Sequence, residues 1–412
     1  MNCITIKGRF ANAEAIRADK ESGLITDIIK NQHSMDVTID GDVILPGDFN
    51  AHSHPEQSIY VEIADPAWEL AKWCRETIYK YSVEMDAERV YYGCVRAFSR
   101  MLSYGETSVM VSFYCHNRRG NELDRAVIKA AKDVGIRLFF GRMNYDIITE
   151  GAYKEKQDSQ RSYFESPEEA EKNFLELLSE ECATVKIAPA LHSFHANTIE
   201  AIVKGINLGA EHHRKIQFHL SEDEGDVKLC LAQFGKRPVE VLADLMAQGK
   251  ISRLDHMVLS DCVWTSDHEK ELIKEHGMAV VMDGRMNDRV KAGRADVKKY
   301  LSMGIPLYVG TDGEASNDDL SIKNEREWLM RTHALAKEDM EKLSDPFEMA
   351  GVKVGTLTKG AAADFQVYKD GRLNELYVGG VKVMQNGRLT AEPLAQKAEA
   401  FINGLFAEKT NA

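Results

Sequence analysis

At 412 residues the chain is too long for one ordinary core and suits a large α/β barrel with a small extra domain. Apolar residues at 44% and charged residues at 28% describe a globular chain in water. The formal net charge of −13 argues against nucleic acid and anionic membrane as partners, because both repel such a surface.

In chain order, residues 1–48 read as short strands broken by turns: 3–7, 23–29 and 36–40. Next comes a regular alternation of strand-like and helix-like segments. The strand candidates are 49–54, 107–113, 137–143, 185–192, 215–222, 254–260, 278–283 and 306–312, each followed by a helical stretch such as Arg125-Ala-Val-Ile-Lys-Ala-Ala-Lys. Eight such units over 49–353 predict a (β/α)8 TIM barrel. An open doubly wound sheet is the rival, but no Gly-x-Gly-x-x-Gly turn or Walker loop follows any strand. From 354 onward short strands return, with Asn386-Gly387 as a hairpin signal, and the tail 394–406 is helical in pattern. The two terminal sets, 1–48 and 354–412, therefore predict one composite β-sandwich domain. A shortened helix is expected around 345–350, ahead of that final segment.

No basic-then-apolar leader opens the chain, and no run of roughly 18 apolar residues occurs. The seven cysteines (3, 74, 94, 115, 182, 230 and 262) are scattered and never form Cys-x-x-Cys. That pattern predicts the reducing cytoplasm rather than a disulfide framework.

In a parallel barrel the C-terminal strand ends share one face, where active sites form. Five of the 13 histidines fall at predicted strand ends: His52, His54, His192, His219 and His256. Glu222 and Asp312 accompany them. His52 and His54 alternate on one strand and so point the same way. With His219 and Asp312 they make a nitrogen/oxygen set for one divalent first-row metal, zinc first and iron as the alternative. Taken singly, Asp312 reads equally as a helix N-cap, and His219 more readily as a core histidine. Glu222, three residues past His219, suits a proton shuttle. His256 is expected across the mouth, orienting the water.

The strings Leu45-Pro-Gly-Asp-Phe-Asn-Ala-His-Ser-His54, His219-Leu-Ser-Glu222, Leu254-Asp-His256 and Gly310-Thr-Asp-Gly-Glu-Ala-Ser-Asn317 resemble the amidohydrolase superfamily. The branch they look most similar to is that of the mononuclear-metal deaminases and chlorohydrolases. The resemblance spans nearly the whole chain, including Lys359-Gly-Ala-Ala-Ala-Asp364 in the C-terminal part. Strand four ends in Ala188-Pro-Ala-Leu-His192, without the lysine that bimetallic relatives carry there, so a single metal is implied. Dechlorinating members tend to lack the glutamate after the strand-five histidine, so Glu222 favours deamination.

The implied reaction is hydrolytic release of ammonia from a C=N or ring C–NH2 carbon of a small nitrogenous compound. Glu222 would protonate substrate nitrogen, while His256 and Asp312 handle the protons of water. Chlorohydrolase or amide hydrolase on the same barrel is the alternative, and a non-catalytic metal-binding barrel a third reading. Likeness to formiminoglutamate deiminases (His52-Ser-His-Pro-Glu-Gln57, Trp73-Cys-Arg-Glu-Thr-Ile-Tyr-Lys80, His192-Ser-Phe-His-Ala196, Arg237-Pro-Val-Glu-Val-Leu242) implies substrate contacts from Gln57 and His192. That group places a carboxylate-gripping arginine where this chain has His195, a poor substitute for a bidentate guanidinium. Trp68, Trp73, Tyr114 and His116 are candidate pocket walls, with helix packing the competing reading for both tryptophans. The partner is a small-molecule substrate, and a homodimer is the expected assembly because such barrels commonly pair.

Overall fold

Alternating apolar and polar residues at the start of the chain pair into β1 (Cys3–Phe10), β2 (Ala13–Asp19), β3 (Ile25–Ile29), β4 (Val37–Thr38) and β5 (Val43–Pro46). The structure is a computed structural model that describes residues 2–31, 36–343 and 346–407. Eight buried strands follow, separated by helices: β6 (Asp48–Ser53), β7 (Glu106–Phe113), β8 (Arg137–Asn144), β9 (Val185–Leu191), β10 (Ile216–Leu220), β11 (Met257–Asp261), β12 (Ala279–Met282) and β13 (Leu307–Val309). A hairpin, β14 (Phe347–Met349) and β15 (Val352–Val354), precedes β16 (Phe365–Lys369), β17 (Arg372–Val378), β18 (Val381–Gln385) and β19 (Arg388–Leu389).

Strands β6 to β13 pair in parallel and in sequence order. The circle closes at the mouth, where the backbone N–H groups of Thr311 and Asp312 both donate to the carbonyl of His52, at 3.1 Å each. This is a nearly closed TIM barrel. Because helices cover the outside and side chains fill the inside, its strands are buried almost throughout, as expected of a parallel sheet covered on both faces. The helix Ala87–Tyr104 shows how the connections are set. Asp86 caps its N-terminus by accepting from the Arg89 N–H, and Gly105 ends it in the left-handed region at φ 100°.

The terminal strands form one continuous nine-stranded sheet in the order β19-β18-β17-β16-β5-β1-β2-β3, with β4 beside β1. Buried Arg137 at the start of β8 ties it to the barrel through Asp364, with Nε–Oδ2 at 2.7 Å and Nη2–Oδ1 at 2.9 Å. One feature departs from the sequence expectation. The region of the expected shortened helix carries the β14–β15 hairpin instead. Its Phe347 stacks on Phe49 with ring centroids 4.5 Å apart and meets Phe139 and Tyr308 edge-on, plugging the barrel opposite its mouth. The final helix, Glu392–Ala407, packs on the barrel helix Ala87–Tyr104. Phe401 lies 4.6 Å from the Tyr92 ring, and Arg100 bridges Glu399 to Glu314 in the loop after β13.

Candidate active site

Three imidazoles converge at the C-terminal end of the barrel: His52 from β6, His54 just after it and His219 from β10. Their candidate donor nitrogens all lie within 4.8 Å of one another. His54 Nε2 stands 3.2 Å from His219 Nε2 and 3.3 Å from Asp312 Oδ1, and His52 Nε2 is 3.4 Å from the same oxygen. Donors held tetrahedrally about a zinc-sized ion at ~2.0–2.1 Å stand roughly 3.3 Å apart, so the spacing fits.

The hydrogen bonds behind the rings decide where the lone pairs point. His54 Nδ1 faces the Ser112 carbonyl at 2.5 Å and His219 Nδ1 faces the His192 carbonyl at 2.9 Å. A carbonyl only accepts, so both rings carry N–H at Nδ1 and a lone pair at Nε2. Gln217 donates through Nε2 to the Ala51 carbonyl, which turns its Oε1 toward His52 Nδ1 at 3.2 Å and orients that ring with Nε2 toward the cluster. Burial pushes His54 down to about 4 and holds His219 well below the usual histidine range. Both shifts favour neutral rings, whose facing nitrogens are suited to hold a cation between them.

His52 behaves oppositely. Burial disfavours its charge, but Asp283, Asp312 and Asp261 outweigh burial and push it up to about 9. Positive charge is demanded at this position. Burial would raise Asp312, yet His52 and His54 hold it well below the ordinary carboxylate range. Asp312 sits at φ 55°, with Ser221 (φ 54°) and Asp261 (φ 72°) in the same left-handed region at neighbouring strand exits. Such backbone is costly for non-glycine residues, and it clusters where side chains are aimed at a site. Two glycines are required by crowding. A Cβ on Gly310 would lie 2.4 Å from Asp283 Oδ1, and one on Gly313 would lie 2.2 Å from Gln57 Oε1.

The mouth opens into a cavity of about 380 Å³, within the ~300–1,000 Å³ span of small-molecule sites. Trp73, Tyr79, Tyr114, Tyr145, Tyr153 and Tyr163 supply its aromatic wall. His54, His219, Asp312 and Glu222 line it, as do Gln57, His192 and His195. Desolvation, reinforced by Asp261, Asp226, Asp312 and Asp223, raises Glu222 above the ordinary carboxylate range.

His256 does not join this set. β11 starts one residue later, so His256 lies at the opposite end of the barrel, where its carbonyl accepts from Ile216 N–H and its Nε2 faces the Ile206 carbonyl at 2.9 Å. The strand-six group facing the cavity is Asp261, the last residue of β11. Asn287 Nδ2 donates to its Oδ1 at 3.0 Å, while its buried Oδ2 has no hydrogen-bond partner. Trp73 lines the cavity and also packs, donating to the Ala315 carbonyl at 2.9 Å. Trp68 packs on the outer core away from the cavity. His116 is fully buried between Asp124 (3.1 Å) and the Met143 carbonyl (3.0 Å), part of a charge network with Arg142 and Glu165.

The loop carrying Asp312 is braced from below. Asn317 Nδ2 donates to the Thr311 carbonyl at 2.9 Å and to Glu325 at 2.8 Å. Burial pushes Glu325 from its ordinary 4.5 up to about 7. Below pH 4.5 folded and unfolded chains both hold this proton; between 4.5 and 7 only the folded chain does. Stability therefore falls as pH rises through that window, by about 3 kcal/mol from this group. Glu325→Gln is expected to flatten the fall, read as a smaller loss of denaturation midpoint between pH 5 and 7.

With this geometry established, comparison with known proteins places the chain. The amidohydrolase family model matches residues 43–390. The chain belongs to the amidohydrolase family. A 5'-deoxyadenosine deaminase of Methanopyrus kandleri is 27% identical over 354 residues, covering 85% of this amidohydrolase and 75% of the relative. A 5-methylthioadenosine/S-adenosylhomocysteine deaminase of Syntrophobacter fumaroxidans is 28% identical over 345 residues, covering 83% and 71%. Among solved structures, a zinc-complexed atrazine chlorohydrolase of Arthrobacter aurescens TC1 matches 97% of this chain and 100% of its own, with a TM-score of 0.77 at 19% identity, a likeness of fold. Like its family, this amidohydrolase is a hydrolase acting on carbon–nitrogen bonds, with a small molecule as substrate. Among the described residues no helix is long and apolar enough to cross a membrane.

Proposed function

We propose that this amidohydrolase is a hydrolytic deaminase that releases ammonia from the amino-bearing ring carbon of a nucleoside-like substrate. The observation that carries the reading is the convergence of three imidazole nitrogens and Asp312 on one point in a cavity that Glu222 also lines. The deaminase names of the two relatives support it.

His52, His54, His219 and Asp312 hold one divalent cation, which we take to be zinc because a compact set of three nitrogens and one oxygen suits it. When bound, such an ion lowers the pKa of water toward neutrality and polarises the attacked carbon. The chain's own groups do the rest. Tyr79, Tyr114 and Trp73 offer faces against which a planar base stacks and excludes water. Gln57 and His192 stand beside it as hydrogen-bonding groups. Glu222 carries its proton to the ring nitrogen next to the reacting carbon and then takes one back from water, so that ammonia leaves as the carbonyl forms. Asp312 accepts the second proton of water and passes it to the departing amine, which leaves as ammonia. Asp261, which lines the cavity, takes the water-orienting place expected of His256.

The seven free thiols support a cytoplasmic setting, and the charge of −13 supports an enzyme that avoids nucleic acid and membranes. A homodimer is the assembly we expect. The direct test incubates zinc-loaded protein with adenosine, 5'-deoxyadenosine and a chlorotriazine. Ammonia and the hydroxylated purine product are expected from at least one nucleoside. Chloride release without ammonia would move the protein to the chlorohydrolase class.

A further inference from the structure

We infer that Arg100 is a positioning residue for Asp312: it grips the turn that aims this carboxylate at the cation, and the C-terminal helix closes the grip from outside. The inference rests on Asp312 serving as a metal ligand in the reading above, and adds a group that touches neither substrate nor metal.

The turn Glu314–Ser316 begins two residues past Asp312, and each of its residues is tied to a different part of the molecule. The buried Ser316 hydroxyl donates to Asp312 Oδ2. Oδ1 is then the oxygen left to face His52 Nε2 and His54 Nε2, so the hydroxyl decides which carboxylate oxygen meets the ion. The Ala315 carbonyl accepts from the Trp73 indole, which joins the turn to the cavity wall. Glu314 lies outside the cavity lining, and its Oε1 accepts from Arg100 Nη1 of the helix Ala87–Tyr104.

The Glu314 side chain is only 4% exposed, so its charge is tolerated there only beside a cation. Arg100 supplies the hydrogen bond. Arg96, one turn earlier, stands with Nε 3.8 Å from Oε2, too far to bond, and that oxygen is buried without a hydrogen-bond partner. Both arginines also reach Glu399 of the final helix, Arg100 through Nη2 at 2.9 Å and Arg96 through Nε at 3.5 Å. Removing one partner of a buried pair leaves the other charge uncompensated. Without Arg100 the Glu314 carboxylate gains by turning toward water, and the turn moves with it, taking Ser316 from Asp312. Asp312 sits at φ 55°, a backbone the loop holds at a cost, so loss of that bond frees its carboxylate from the cluster.

The test measures zinc affinity by calorimetry for the wild type, Arg100→Gln, Ser316→Ala, the double variant and Phe401→Ala, with thermal unfolding of each metal-free sample. Phe401→Ala removes packing of the final helix on Tyr92 without touching Glu314, so it reports what loosening that helix does alone. Ser316→Ala is expected to weaken zinc about 10- to 100-fold, and Arg100→Gln about 2- to 30-fold. The double variant should lose no more than Ser316→Ala, because Arg100 acts through that hydroxyl. Arg100→Lys, which keeps the charge and one donor, is expected to fall between Arg100→Gln and the wild type. Phe401→Ala should unfold at lower temperature with its zinc affinity unchanged. Unchanged affinity in Arg100→Gln, an equal loss in Phe401→Ala, or fully additive losses in the double variant overturns the inference. Should Arg100→Gln fail to fold, Glu314→Gln leaves no buried charge behind and is expected to weaken zinc in the same direction. A wild type that binds no zinc sinks the metal reading instead, and the crystal structure of Arg100→Gln then decides the inference by whether Ser316 has left Asp312.

Discussion

Glu222→Gln is expected to lower kcat by about 10²- to 10⁴-fold with the metal content unchanged. Glutamine keeps the shape and can still hydrogen-bond, but it has no proton to transfer. Glu222 sits just past Ser221 at the exit of β10, close enough to His219 to serve the same substrate atom yet outside the cluster of three imidazoles. Desolvation beside Asp261, Asp226 and Asp312 pushes its carboxyl above the ordinary range, the direction that suits a proton donor and disfavours a metal ligand. The measurement is steady-state ammonia release beside metal analysis of the same sample. Undiminished turnover in the variant would remove Glu222 from the chemistry, and loss of metal would make it a ligand.

The second large effect comes from the cation. Chelation is expected to abolish turnover, and zinc to restore it. Because the ion binds the folded chain, an excess of about 100 times its Kd should add about 2.7 kcal/mol of stability. His219→Ala should erase both responses. Gln217 is not a ligand, but it fixes the His52 ring from behind, so Gln217→Leu is expected to weaken the cation by about 10- to 100-fold. His52, pushed up to about 9 by its three acidic neighbours, carries a proton at pH 7 that the ion must displace. Zinc uptake should therefore release about one proton, read from calorimetry in buffers of different ionisation heat.

The alternation of strand and helix made the barrel legible, because each buried parallel strand is a short apolar run between amphipathic helices. His52, His54, His219 and Asp312 could be grouped because strand ends converge whatever the loops do between them. His256 failed for a local reason. The apolar run around it starts at Leu254, but Leu254 packs in the outer core ahead of the strand, and β11 begins only at Met257. Three residues of error moved the histidine from one end of the barrel to the other. Had the strand been counted from Met257, Asp261 would have stood out as its terminal carboxylate. Of the tyrosine wall only Tyr114 was legible, since Tyr79, Tyr145 and Tyr163 come from separate segments and meet it only in three dimensions. His116 misled because a buried imidazole held by Asp124 looks, in sequence, like any histidine past a strand end. The β14–β15 hairpin was hidden by its length, three residues per strand, too short for periodicity to register.

The central claim is that four side chains from three distant strand ends share one ion. Anomalous scattering at the zinc edge from crystals of the loaded protein tests it most directly. The account predicts a single peak about 2.0–2.2 Å from the Nε2 atoms of His52, His54 and His219 and from Asp312 Oδ1. A peak elsewhere, or one that leaves any of these four outside bonding distance, would contradict it.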